Sequence, residues 1–454
     1  MVGVKMRKEC LADFGRISVG DATVFLGSNL DVLPFMADNS VDSIVTDPPY
    51  ELGFMGKSWD SSGIAYSVEL WRECLRVLKP GGHILAFGGT RTYHRMAVAI
   101  EDAGFELRDS IAWLYGSGFP KSHNISKAID KAAGAEREVL GVDKVRGTNG
   151  GMLGRANPDS PEHDGSTVGT GTTYVTSPAT PDAKKWDGWG TALKPAFEPV
   201  VVGRKPLIGT VVENVLEWGV GGLNIDATRI GTETVTINTF DNGAKPFGDA
   251  VGEPFTSRES VGRWPANIIL DEFTAGLLDE QSGERKGMAT QRNLAGTKIY
   301  GGNSLNESST EFPEIRLGYN DTGGASRFFY VAKANKKDRN EGLEHLEERM
   351  ARKFAQDETT LATMPFGKLP VKNFHPTVKP TELMRYLIKL VTPAGGIVLD
   401  PFTGSGSTGK AALLDGYKFV GIELTEEYLP IIEGRLKYAA EKTKETNNDE
   451  GKLF

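Results

Sequence analysis

Cysteine is nearly absent from this sequence: Cys10 and Cys74 are the only two among 454 residues. Neither stands in a CxxC or Cys/His cluster, so the spacing excludes a disulfide framework and a thiolate metal site. Buried free thiols are the plainer reading. The six histidines, His83, His94, His123, His163, His345 and His375, also lack metal-ligand spacing, and no metal is expected. No apolar run reaches the roughly 18 residues that a membrane-spanning helix needs. The start, "MVGVKMRKECLADFG", has no apolar stretch behind its basic residues, so it does not read as a signal peptide, and a cytoplasmic location is expected. An excess of positive charge is missing too. The formal net charge is −8, so a nucleic-acid partner would have to be met by a local basic surface.

What the sequence does have is a globular composition, 39% hydrophobic and 25% charged. Its length fits two or three domains, or one domain with a large insertion. From about residue 20 to 115, short β-branched runs such as "VDSIVTDPPY" and "HILAFGGT" alternate with helix-like segments such as "SVELWRECLRVLKPGG". That alternation predicts βα units on a largely parallel sheet. It returns at 371–438 with "TELMRYLIKLV", "GIVLD" and "KFVGIEL". The expected fold is therefore α/β, one sheet built from residues 1–120 and 371–438 and interrupted by an insertion at 121–370. The insertion includes a flexible Gly/Ser/Thr-rich loop near 145–190, and a polar tail at 439–454 is expected to fray. Within it, "FEPVVVGRKPL", "TVVENVLEWG", "RWPANIILDE" and "RFFYVAKA" are short strand or helix candidates.

Two stretches carry chemistry. In "GGIVLDPFTGSGSTGKAALLDGYKFVGIEL", 395–424, a buried strand runs into Asp400 and a turn in which Gly404 and Gly406 let backbone approach a ligand. A second strand then delivers Glu423, where doubly wound sheets hold a ribose hydroxyl pair. The run nearly spells a phosphate loop, but Ala411 stands where a Mg²⁺-binding hydroxyl is needed, and Asp400 would face a triphosphate. S-adenosylmethionine has no phosphates; its ammonium suits Asp400 and its ribose suits Glu423. A nucleotide-dependent DNA-binding module or NTPase is the reading of another class.

The other stretch is "TDPPY", 46–50. An exocyclic amino group on a nucleobase is a poor nucleophile because its lone pair is conjugated with the ring. The Asp47 carboxylate and the Pro48 carbonyl, accepting its two hydrogens, favour pyramidalisation and release that lone pair. Pro48 and Pro49 fix φ and remove donors, holding the carbonyl still. Tyr50 offers a ring for an extruded base to stack on.

These motifs together resemble the amino-methylating DNA methyltransferases, specifically the permuted beta group, in which the catalytic tetrapeptide precedes the target-recognition region and the glycine motif follows it. "DPPY" at 47–50 and "DPFTGSG" at 400–406 stand in that order, and "HPTVKP" at 375–380 looks like the family's cofactor-flanking motif. The resemblance implies a Rossmann-like S-adenosylmethionine-dependent sheet, with Asp47, Pro48, Pro49 and Tyr50 catalytic. It puts Asp400, Phe402, Gly404, Gly406, Glu423, Thr377 and Lys379 at the cofactor, the last two near its methionine carboxylate. "DPPY" is more similar to adenine-N6 than to cytosine-N4 members, so the expected activity is site-specific adenine-N6 methylation of DNA by base flipping, with cytosine-N4 as the alternative. "KPAFEPVVVGRKPL" and "GRWPANIILDE" look like phage or prophage members. Homodimerisation, and either a companion restriction endonuclease or an orphan enzyme, are implied by resemblance alone. The family usually has "GD" where this chain reads "GSNLDVL", 27–33; Ser28 brings no carboxylate, and Asn29 or Asp31 is left to substitute.

Candidate DNA contacts are two basic clusters, Lys333, Lys336, Lys337 and Arg339, and Arg349, Arg352 and Lys353, although the acids of "EGLEHLEER" between them make a solvated helix face the plainer reading of the second. Trp186, Trp189 and Trp264 are stacking candidates, with core packing the plainer reading. The segment after "DPPY" has the Gly and Ser content of a mobile loop, from which Phe54 and Trp59 could wedge or stack.

Overall fold

The computed structural model describes residues 14–53, 58–118, 122–142, 174–239, 256–287, 290–292, 315–317, 321–333, 337–350 and 370–450. Phe54, Lys336, Arg352, Lys353, the loop 145–173 and the side chains of Trp59 and Arg349 lie outside these. Ten strands form one mixed sheet. In chain order they are β1 (Gly15–Val19), β2 (Ala22–Leu26), β3 (Val41–Thr46), β4 (Leu78–Phe87), β5 (Glu106–Leu114), β6 (Phe197–Arg204), β7 (Ile268–Asp271), β8 (Tyr330–Ala332), β9 (Ile397–Asp400) and β10 (Lys418–Glu423). Across the sheet the order is β1-β2-β10-β9-β3-β4-β6-β5-β7-β8. β2, β10, β9, β3 and β4 run parallel, so the catalytic and glycine motifs leave the sheet at the same edge.

The strands alternate faces. Val45 and Phe419 point into one core with Leu383, Leu387, Ala411 and Ile432, whereas Ile44 and Val420 point into another with Trp71, Val77 and Ile100. Helices therefore cover both faces, as parallel strands buried on both sides require. The helices that matter here are α1 (Val68–Val77), α2 (Val211–Trp218), α3 (Thr381–Val391), α4 (Ser407–Leu414) and α5 (Leu429–Glu450). Ser67 starts α1 by accepting from Leu70 N, and Thr210 with Glu213 forms a capping box on α2.

Two features of the chain's organisation go beyond the sequence reading. Residues 121–370 supply strands to the sheet itself: β6, β7 and β8 all join it, β6 antiparallel between β4 and β5. The four short candidates read from the sequence are β6, α2, β7 and β8. Their non-local pairing has no local sequence signal. The polar tail does not start a separate segment. α5 continues through it to Glu450, because "EKTKET" consists of residues that tolerate a helix without an apolar face, aided by the Lys442–Glu445 pair. Of the loop expected near 145–190, the described part holds a strand, Tyr174–Thr176, and a helix, Pro181–Lys185. Among the described residues no helix is long and apolar enough to cross a membrane.

Candidate active site

The edge at which β3, β9 and β10 end opens into a cavity of about 670 Å³. Asp47, Pro48, Pro49 and Tyr50 line it, together with Thr377, Lys379, Asp400, Phe402, Gly404 and Glu423. Of the eleven residues expected to be catalytic or to meet the cofactor, Gly406 alone is off the lining. Its φ of +74° makes the turn into α4, and a Cβ there would meet Ile432 at 3.4 Å. Its contribution is the turn and not a ligand contact.

At one end of the cavity two carboxylates are held by neutral donors. Asp400 closes β9 and is almost fully buried. Its Oδ1 accepts from Thr46 Oγ1 at 2.6 Å and Phe402 N at 3.0 Å, and its Oδ2 from Thr408 Oγ1 at 2.6 Å. The Thr46 bond ties the catalytic strand directly to the glycine strand. Glu423 closes β10, and its two oxygens accept from Gly404 N and Thr425 N, both at 2.7 Å. Burial raises the Asp400 pKa to about 6 and the Glu423 pKa to about 7, against the opposing pull of these hydrogen bonds. Gly404 has φ +53°, and a Cβ would lie 3.0 Å from His375 Nε2, so only glycine leaves the wall open there. Burial lowers the His375 pKa to about 4, which keeps that ring neutral.

At the other end the chemistry differs. Tyr50 O–H lies 3.0 Å from Asp47 Oδ1 and 2.9 Å from Glu198 Oε2. The Lys379 ammonium sits 2.9 Å from Asp47 Oδ2, 3.0 Å from Glu198 Oε2 and 2.9 Å from the Tyr50 hydroxyl, between the rings of Tyr50 and Phe87. Burial alone would lower the Lys379 pKa, but Asp47 and Glu198 outweigh it and hold it above its ordinary value. Burial, reinforced by both carboxylates, raises the Tyr50 pKa well above that of a free phenol. Thr92 Oγ1 donates to the Tyr50 carbonyl at 2.7 Å and fixes the motif's end. Beyond it, the Asp60 carboxylate accepts from Glu51 N and Leu52 N, so the described residues flanking 54–57 are tied down.

Lys379 is thus engaged by Asp47, Glu198 and Tyr50, where the resemblance implies a place near the cofactor's methionine carboxylate. Glu198 was missed altogether. Its only signal was a charged residue heading the apolar run "FEPVVV", which does not say what it faces. Trp113, Tyr115 and Phe197 also line the cavity and carried no motif. At the "GSNLDVL" departure, Ser28 and Asn29 line the cavity, with Asn29 Nδ2 donating to the Pro401 carbonyl at 3.4 Å. Asp31 is exposed and off the lining.

Other expected contacts fall elsewhere. Lys410, the lysine of the near-phosphate-loop, is buried against Asp338 at 2.6 Å and Glu341 at 2.8 Å and does not reach the cavity. The NTPase reading loses its phosphate-binding group. Arg339 is a structural residue: it donates to the carbonyls of Asn373 and His375, holding the "HPTVKP" segment. Lys333 and Lys337 are exposed. Trp186, Trp189 and Trp264 are not core residues, being 37%, 58% and 64% exposed, and the first two pack edge to face.

A family model described as DNA methylase matches residues 41–133 and 313–434. The DNA adenine methyltransferase YhdJ of Escherichia coli K12 is 46% identical over 66 residues, 14% of this chain and 22% of its own length. The type II methyltransferase M.HpaI of Haemophilus parainfluenzae is 33% identical over 116 residues, 24% of this chain and 37% of its own. Each of these matches spans well under half of the relative's length. A solved structure, the cytosine-N4-specific PvuII DNA methyltransferase, superposes with a TM-score of 0.39 at 12% identity, covering 96% of this chain and 95% of its own. The two blocks matched by the family model carry both ends of the cavity, and across them the chain is similar to the N6/N4 DNA methylases.

Proposed function

We propose that this chain transfers a methyl group from S-adenosylmethionine to the N6 amino group of adenine in DNA, acting on a base turned out of the duplex. One observation carries the reading: the "DPPY" tetrapeptide and the glycine turn leave adjacent parallel strands, β3 and β9, into one cavity. The motif and the name of the similar adenine methyltransferase favour adenine.

The residues present fit the cofactor by charge. Among the described residues, Asp400 and Glu423 stand without a cationic side-chain partner in their hydrogen-bond sets, and the one lysine lining the cavity is already engaged by two carboxylates. Such a wall repels a polyphosphate and suits a ligand bearing an ammonium and a sulfonium. Glu423 would accept from the ribose hydroxyls, and the Asp400 end would face the ammonium. Bound there, the cofactor supplies an electrophilic methyl group. Asp47 and the Pro48 carbonyl accept from the target amino group and localise its lone pair, while the Tyr50 ring stacks on the base. Asp47 would also take the surplus proton of the amino group once that nitrogen has been alkylated. Trp113, Phe197 and Phe402 add apolar surface to the cavity wall.

The motif order is that of the permuted beta group, and the sequence similarities noted above favour a phage or prophage type. Target recognition belongs to the connections within 121–370, with catalysis in 1–120 and cofactor binding in 371–438. An arm at 184–197, exposed along its length, alternates Lys184, Lys185 and Lys194 with Trp186, Trp189 and Leu193 before entering the cavity wall at Pro195. Lysines for phosphates and rings for bases are the groups that bind DNA here.

Expression in a host without DNA methylation, followed by single-molecule mapping of modified bases, tests the reading. Sequence-specific N6-methyladenine, absent with Asp47→Ala, is expected. N4-methylcytosine would move the assignment to the alternative target, and no modified base at all would sink the proposal.

A further inference from the structure

Both oxygens of Asp47 are already engaged: Oδ1 faces the Tyr50 hydroxyl at 3.0 Å and Oδ2 the Lys379 ammonium at 2.9 Å. A target amino group needs one of them. Lys379 is buried, and pulling a buried ammonium off a carboxylate with nothing in return is strongly unfavourable. A second carboxylate stands within reach of the same donors, because Glu198 Oε2 is 3.0 Å from Lys379 Nζ and 2.9 Å from the Tyr50 hydroxyl. We propose that Glu198 is the positioning residue that takes over Lys379 and the Tyr50 proton, and so frees Asp47 to receive the target amino group.

The inference rests on the methyl-transfer reading above. Its geometry requires rotation and not travel. The Tyr50 hydroxyl has one proton for two acceptors, and turning it towards Glu198 clears Asp47 Oδ1. Lys379 stays between the Tyr50 and Phe87 rings, 5.2 and 4.9 Å from their centroids, while its hydrogen bonds shift from one carboxylate to the other. The entering amino group is neutral, so the exchange leaves two carboxylates and one ammonium before and after. Glu198 is also well held for this role. It lies near the head of β6, paired to Trp113 of β5, and buried Val200, Val201 and Val202 follow it. A loop carboxylate would not keep the second acceptor at a fixed distance.

The test is single-turnover transfer of labelled methyl groups, enzyme in excess, to plasmid DNA prepared in a host lacking DNA methylation. Glu198→Gln removes the competing charge, leaves Lys379 on Asp47, and should slow transfer by about tenfold or more. Cofactor affinity by equilibrium dialysis and the thermal midpoint should stay at wild-type values, and Glu198→Asp should recover part of the rate. The decisive variant is Lys379→Met in the Glu198→Gln background. With the ammonium gone, Asp47 is no longer withheld, so the double variant should be faster than Glu198→Gln alone. A double variant no faster than the single, a Glu198→Gln rate equal to wild type, or loss of cofactor affinity in Glu198→Gln would each overturn the proposal. If the wild type itself modifies no DNA, the methyl-transfer reading fails first and this one with it; an active wild type with any of those three results overturns this one alone.

Discussion

Four of the carboxylates that line the cavity fall into two electrostatic settings. Asp400 and Glu423 accept from backbone N–H groups and threonine hydroxyls, donors that orient a carboxylate without neutralising it. Asp47 and Glu198 share a buried ammonium and a phenol. Burial raises the first pair's pKa values, so charge appears there at a cost that a cationic ligand offsets. The second pair is compensated before any ligand arrives. One end is thereby suited to attract a cation, and the other to exchange one hydrogen-bond donor for another. Identical side chains acquire different chemistry from the donors the fold assigns them.

The largest expected effect lies at the compensated end. Asp47→Ala should lower single-turnover transfer by about a thousandfold or more while cofactor affinity stays within about twofold. Equal losses of rate and affinity would erase the division between the two ends. At the uncompensated end, Glu423→Gln should weaken cofactor binding by roughly ten- to a hundredfold, read by equilibrium dialysis, with transfer at saturating cofactor largely kept. A rate loss that saturation does not relieve would mean that Glu423 acts on the reaction itself.

A pH titration sharpens the same contrast. The folded pKa of Glu423 is raised to about 7 and that of Asp400 to about 6. Raised carboxylate pKa values mean that the folded protein holds protons the unfolded chain has already released. Stability of the unliganded protein from this pair therefore falls as pH climbs from the ordinary carboxylate range towards 7. Cofactor affinity moves the other way, rising across that window as the pair ionises, and the upper part of the rise should vanish in Glu423→Gln. A flat affinity profile in the wild type would show that the ligand does not meet these charges. The smallest effect is expected for Thr46→Val, which removes one donor from buried Asp400. It should destabilise the protein by about 1–3 kcal/mol in denaturant titration, since a charged acceptor loses a partner.

How much of this could be read in the sequence follows from whether the information is local. Asp47, Pro48 and Tyr50 are contiguous, and Asp400, Gly404 and Glu423 sit on one strand–turn–helix–strand unit, so their spacing alone announced them. The strands themselves were visible as apolar runs. Glu198 was not, because its partners Tyr50 and Lys379 lie far away along the chain and nothing near "FEP" encodes that meeting. Lys379 was singled out for this cavity, but its pairing with Asp47 and Glu198 was not legible, since a motif records that a lysine is present and not which carboxylate it will face. The tryptophans were named as stacking candidates with core packing as the plainer reading, because an isolated Trp in a chain without clear periodicity defaults to the core, and their exposure is visible only in the structure. Arg339 taught the converse, as a basic cluster in sequence became a clamp on backbone carbonyls.

The strand order also dictates when the site can exist. β3, which carries Asp47 on its end, is flanked by β9, and β2 by β10. Neither neighbour has been made when the first half of the chain leaves the ribosome. The apolar residues of β2 and β3 must wait through more than 300 residues of synthesis, with unpaired edges, before their partners at 397–423 emerge. The cavity between the two motifs can therefore close only once residues 397–423 have been made.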